Sequence, residues 1–192
     1  KKIAYYWPAL KDFAHENERR CEAFRSKYIE RELLIYAGQL NEAKIKEHIS
    51  LLNWFNPDIL RAFPNSLQIL AEKCVQESIA IPLTCGIVSV GETLMDYQRN
   101  LFRQVFNCEV FNCYVSREVG NIACECAEHN GLHVADDSVY LEVNNPDSNG
   151  VGEIVVTDLF NYGMPLIRYQ IQDACKILPG ACACGRGLKK IR

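Results

Sequence analysis

Three cysteines and one histidine, Cys126, His133, Cys182 and Cys184, have the residue types of a metal centre. They lie in turn-rich sequence and offer three thiolates and one imidazole, the soft donor set that tetrahedral zinc takes at roughly 2.0–2.3 Å. Four protein ligands leave no open coordination position, so the expected role is structural, tying the segment 126–133 to the segment 182–184. The spacing is looser than a pair of CxxC motifs, and Cys124, His129 and Cys175 stand as alternative ligands. A catalytic Cys–His pair is the rival reading. It is disfavoured because no base and oxyanion donors accompany these cysteines in the sequence.

The remaining cysteines follow a different pattern. Cys21, Cys74, Cys85 and Cys108 have apolar neighbours and read as small buried hydrophobes, while Cys113, Cys124 and Cys175 have no assigned role. Ten cysteines in 192 residues, about 5%, fall below the roughly 8–10% of a small disulfide scaffold. A chain of this length, 48% hydrophobic and 23% charged, has enough apolar surface to build a core without such staples. With 21 Lys+Arg against 24 Asp+Glu there is no basic surplus for a phosphate backbone, and nucleic acid is not an expected partner. No apolar run reaches the roughly 20 residues of a membrane-spanning helix, and aromatics with Pro8 occupy the stretch where a signal peptide would be plainly apolar. Cytoplasmic location, with reduced thiols, is the expectation.

The elements that must position these residues show two textures. Helical spacing is expected over 9–26, and Glu32–Tyr36 reads as a strand. A helix capped by Asn41 carries Ile45, Ile49 and Leu52 on one face and stops at Asn56-Pro57, before a strand at 58–63. Leu67, Leu70, Ala71, Cys74 and Val75 mark the next helix, and 85–90 the next strand. Thr93 with Asp96 is expected to cap a helix whose face is Leu94, Tyr97, Leu101 and Val105, followed by a strand at 109–114. Strands alternating with helices imply parallel pairing, with ligands at the carboxyl ends of strands, here 89–93 and 114–118. After about residue 120 short alternating strands at 139–143, 153–157 and 166–169 are joined by turns, an antiparallel pattern with no helix signal. The fold class is therefore α/β, a mostly parallel sheet with flanking helices over 1–120 followed by a smaller antiparallel β lobe over 121–192.

Tyr114-Val115-Ser116-Arg117-Glu118-Val119-Gly120, then Gly152 to Leu159, then Met164 to Asp173 occur in an order that resembles the adenylate-forming superfamily. Glu125-Cys126 with Gly131-Leu132-His133, and Cys182-Ala183-Cys184-Gly185-Arg186, resemble more narrowly the phenylacetate–coenzyme A ligase group and its capsule-biosynthesis relatives. Pro64 to Leu67 and Val90-Gly91-Glu92 fall in the same order, so the resemblance spans most of the chain. It implies ATP-dependent activation of a carboxylic acid as an acyl adenylate with magnesium, and transfer to coenzyme A or another nucleophile. By that resemblance Tyr114 stacks on adenine, the Gly91-Glu92 backbone lies along the base, Glu118 is the catalytic magnesium ligand, and Asp173 accepts hydrogen bonds from the ribose hydroxyls. It also favours zinc at Cys126, His133, Cys182 and Cys184.

Each residue has a plainer role to set beside this: Glu118 as a solvated loop residue, Tyr114 as packing, Glu92 as a charge favourable to a helix dipole, and Arg168 as the partner of a carboxylate. The sequence departs from the family pattern at Val115 and Gln172, where Gly is common, and at Gln170, where Arg is usual. Any side chain at the first two obstructs close approach to a nucleotide, and a β-branched one is strained at positive φ. Neither a Ser/Thr/Gly-rich phosphate loop before Gly91 nor a lysine-bearing carboxy-terminal domain is recognisable. The chain is thus expected to be an internal piece of a larger ligase, inactive by itself and prone to self-association through exposed apolar surface. The alternative is a degenerate, non-catalytic adenylation-like domain serving as a zinc-stabilised binding scaffold.

Overall fold

The computed structural model describes residues 1–8, 29–81, 83 and 85–192, in two compact units, Lys1–Val110 and Phe111–Arg192. The helix expected over 9–26, and Cys21 within it, lie outside the described residues.

The first unit has a parallel sheet in the order β2–β1–β3–β4, from β1 (Ile3–Trp7), β2 (Glu32–Tyr36), β3 (Ile59–Ala62) and β4 (Gly86–Ser89). The helices α1 (Glu42–Phe55), α2 (Pro64–Gln76) and α3 (Asp96–Phe106) alternate with the later strands, as the periodicity predicts. Asn41 Oδ1 accepts the Lys44 backbone N–H at 2.9 Å, and Asn56 ends α1 in the left-handed region at φ 50°. Ile49, Leu52, Phe55, Leu67, Leu70, Ala71 and Cys74 meet Tyr6, Leu60 and Ile87 of the sheet in one core.

Five local expectations are corrected. β1, unassigned from sequence, pairs with both β2 and β3, its Ala4 and Tyr6 fully buried between flanking half-buried positions. Val75 is exposed rather than on the buried face of α2. Met95, not Thr93, is the N-cap of α3, and its backbone N–H donates to Gln98 Oε1 at 3.0 Å. The buried face of α3 is Gln98, Phe102, Val105 and Phe106, and Tyr97 is exposed. Buried Gln98 turns the helix this way because its amide Nε2 donates to Asn65 Oδ1 at 3.0 Å and Gln68 Oε1 at 2.9 Å. Of the cysteines read as core, Cys74 is buried and Cys108 packs against the core, but Cys85 is exposed.

The second unit is antiparallel throughout, in the order β5–β6–β7–β11–β10–β9–β8. Its strands are β5 (Val110–Ser116), β6 (Gly120–Glu125), β7 (Leu132–Val134), β8 (Val139–Asn144), β9 (Val151–Asp158), β10 (Tyr169–Leu178) and β11 (Lys190–Ile191). β6, β7 and β11 are not separate elements in the sequence reading; β7 and β11, of three and two residues, are too short to show alternation, and β6 is held by pairing with β5 and β7. The expected strand at 166–169 begins only at Tyr169, because Arg168 has φ 51° and Ile167 is exposed. Ile122, Val134, Val139, Leu141, Ile154, Val156, Cys175 and Ile191 form its core. Among the described residues no helix is long and apolar enough to cross a membrane.

Candidate functional site

The second unit brings together residues far apart in sequence at two places. At the first, Cys126 follows β6, His133 lies on β7, and Cys182 and Cys184 lie in the loop between β10 and β11. Their ligand atoms all fall within 4.8 Å of one another, and all but Cys184 are buried. Two tight turns present the thiols. The His129 N–H donates to Cys126 O at 3.1 Å, and the Gly185 N–H to Cys182 O at 3.1 Å, with His129 and Gly185 at φ 48° and 80°. Pairing of His133 with Cys124 on one side and Lys190 on the other holds the imidazole over these turns.

The spacing suits a tetrahedral ion. Bonds of zinc length require edges of about 3.8 Å between two sulfurs and about 3.5 Å between sulfur and nitrogen. Cys126 Sγ and Cys182 Sγ are 3.7 Å apart, and Cys184 Sγ and His133 Nε2 are 3.4 Å apart. His133 Nδ1 is buried with no hydrogen-bond partner among the described residues, so Nε2 is the atom aimed at the thiols. The Arg186 backbone N–H, first among its causes, lowers the Cys184 thiol to about 7, whereas burial pushes Cys126 up. The alternative ligands have other roles: His129 Nδ1 lies 3.1 Å from Glu125 Oε2 and its ring stacks on Phe111, Cys175 belongs to the core, and Cys124 sits in β6 opposite Cys113.

At the second place, the Tyr114 hydroxyl donates to Asp173 Oδ2 at 2.7 Å, across 59 positions of sequence. Burial, then this bond to Asp173, then the charges of Asp173, Cys175 and Glu118 raise the Tyr114 pKa, so the hydroxyl stays a donor at all ordinary pH. Glu118 is exposed in the Arg117–Val119 turn between β5 and β6. Tyr114 itself is inside β5, paired with Ala123, rather than in a strand-end loop as expected.

Asp173 owes its position to a bulge. Between the pairs Gln170–Val155 and Ala174–Glu153, residues Ile171, Gln172 and Asp173 stand opposite Ile154 alone. Gln172 takes φ 74°. This is the left-handed region that a side chain resists, at a position where the family pattern has Gly. Val115 is different: it remains in β5 opposite Asn121 and is not among the residues with positive φ, so the strain expected there is absent. Arg168 pairs with a carboxylate as expected, its Nε donating to Glu142 Oε2 at 3.1 Å. Gln170 is exposed on β10.

In the first unit, Gly91 has φ 78°, and a Cβ there would collide with the Phe63 ring. Glu92 Oε2 accepts the Asn65 N–H at 3.0 Å, so its side chain serves the amino terminus of α2 rather than of α3.

No family model matches the chain. It is 26% identical over 164 residues to phenylacetate–coenzyme A ligase of Pseudomonas putida, covering 79% of this chain and 37% of that protein. It is 28% identical over 147 residues to Protein CapK of Staphylococcus aureus, covering 76% and 32%. The chain thus spans about a third of the length of the curated relatives it matches. Its fold is similar to that of an open conformation of 2-hydroxyisobutyryl-CoA ligase in complex with 2-HIB-AMP and CoA, with a TM-score of 0.73, 16% identity and coverage of 99% and 43%. It is also similar to VinN, with a TM-score of 0.61, 12% identity and coverage of 100% and 50%. The chain is a homologue of phenylacetate–coenzyme A ligase and Protein CapK, with the fold of the adenylate-forming ligases.

Proposed function

We propose that this chain carries nucleotide and magnesium residues of an ATP-dependent acid–CoA or acid–AMP ligase. The observation that carries the reading is the Tyr114–Asp173 hydrogen bond, which joins the residues assigned to adenine and to ribose. A carboxylate oxygen of the acid attacks the α-phosphorus of ATP, a P–O bond forms, and pyrophosphate leaves. The acyl adenylate then passes to the thiol of coenzyme A or another nucleophile, releasing AMP. Here the Tyr114 ring supplies a platform for adenine. Glu118 is a hard oxygen ligand for the magnesium that travels with ATP, and Asp173 accepts the ribose diol. Charge dispersal on the phosphates needs cationic groups beyond those found in these residues, so the 192-residue chain by itself is proposed to be inactive.

Zinc fits Cys126, His133, Cys182 and Cys184 by donor type and by the two interatomic distances. When bound it would cross-link β6, β7 and the β10–β11 loop. The domain roles follow: the α/β unit ends at Val110 rather than near residue 120, and the β unit from Phe111 would bear the zinc.

The test is ATP–pyrophosphate exchange by the intact protein. Asp173→Ala and Glu118→Ala are each expected to depress it about 100-fold; unchanged exchange in both overturns the reading. Pyrophosphate release by the isolated chain with ATP and a carboxylic acid would refute its proposed inactivity. A second reading, a degenerate adenylation-like scaffold, draws on Gln172 standing at φ 74° beside the ribose residue. It predicts an intact protein with no ATP affinity.

A further inference from the structure

Asp173 is an exposed carboxylate in an irregular stretch of strand, where a free side chain would sample several rotamers and a ligand would have to order it. Two features act against that freedom. The bulge at Ile171–Asp173, with Gln172 at φ 74°, fixes the backbone that aims Asp173 out of the regular β9–β10 ladder. The Tyr114 hydroxyl then holds one carboxylate oxygen, Oδ2, at 2.7 Å. A carboxylate has about four acceptor sites over its two oxygens, so one donor leaves Oδ1 and the second lone pair of Oδ2 for two further donors. A vicinal diol presents two such donors.

We propose that the Tyr114 hydroxyl is a positioning group for Asp173, presetting its carboxylate for the two hydroxyls of a ribose and so giving the site its selectivity for ribonucleotides. The inference rests on the nucleotide reading above and adds to it a second duty for Tyr114, distinct from stacking. The ring and the hydroxyl act on different parts of the ligand. Removing the oxygen alone leaves the platform for the base intact while releasing Asp173.

The experiment compares ATP with 2′,3′-dideoxy-ATP by equilibrium binding to the intact protein, in the wild type, Tyr114→Phe, Asp173→Ala and the double variant, each checked for folding by thermal denaturation. The wild type is expected to prefer ATP. Tyr114→Phe should weaken ATP about three- to tenfold and leave dideoxy-ATP within twofold. Asp173→Ala should remove the preference, and adding Tyr114→Phe to it should cost ATP binding nothing more, because the hydroxyl acts only through the carboxylate. If Asp173→Ala keeps the wild-type preference, the ribose assignment is wrong and the inference falls with it. If Asp173→Ala removes the preference but Tyr114→Phe leaves it intact, or weakens both nucleotides equally, the ribose assignment stands and the positioning role is refuted. Should Tyr114→Phe not fold, Asp173→Glu replaces it: carrying the carboxylate past the fixed hydroxyl should narrow the preference for ATP, and an unchanged preference counts against a preset carboxylate.

Discussion

The two units differ in how their polar chemistry is spent. In the first, the polar groups serve the fold: buried Gln98 bridges Asn65 and Gln68, buried Tyr6 bonds His48, and the exposed Glu92 side chain is taken by α2. In the second, a smaller apolar core is accompanied by a buried Cys/His cluster and by a Tyr–Asp pair at a strained bulge. A parallel sheet covered by helices has the apolar area to stand alone. A short-stranded antiparallel sheet gains most from a cross-link and leaves its edges and bulges for ligands. The second unit thus carries both the cluster proposed to hold it together and the pair proposed to bind a ligand.

The sharpest way to break this contrast is to remove the metal. Chelation or Cys182→Ser should cost the second unit on the order of 5 kcal/mol, while the first unit's transition is unmoved. Metal analysis together with denaturant unfolding would show it, and a purified chain without stoichiometric zinc would refute it. Next, Phe102→Ala in the fully buried face of α3 should cost the first unit about 3–5 kcal/mol without releasing zinc. Zinc loss at the same denaturant concentration would show that the units unfold as one.

Acid should also act on the first unit. Burial, the largest cause, holds the His48 pKa below its ordinary value of 6.5. The unfolded chain therefore binds the proton more readily. The stabilisation is present in full above about pH 6.5 and is lost as pH falls from there through the lower folded-state value. His48→Gln should flatten that part of a stability-against-pH curve, and an unchanged acid slope counts against His48. The smallest effect is expected at the bulge, where Gln172→Gly should stabilise the second unit by about 1 kcal/mol by relieving positive φ, measured as a raised unfolding midpoint.

Local signals were legible. Asn41 as a cap, the apolar stripe of α2 and the alternation of β8 and β9 each depend on a few neighbouring residues. The face of α3 was not legible, because an amide network reaching across to α2 buries Gln98, which periodicity alone treats as polar surface. β1 is not legible because its five residues, between Lys1-Lys2 and Pro8, carry too little alternation to be told from an aromatic run. The four metal-type ligands were legible by residue type and position in turns, with Cys124, His129 and Cys175 as alternates that the structure gives other surroundings.

Residue order by itself determined the α/β class, the change to antiparallel strands, the Cys/His donor set and the resemblance that named Tyr114, Glu118 and Asp173. Only the tertiary structure decided that Tyr114 lies within β5, that its hydroxyl meets Asp173, and that Gln172 rather than Val115 bears the positive φ. These depend on strand register and on a bulge. Register is set by pairing between strands distant in sequence, where a shift of one residue exchanges the two faces of a sheet, so no local pattern can specify it.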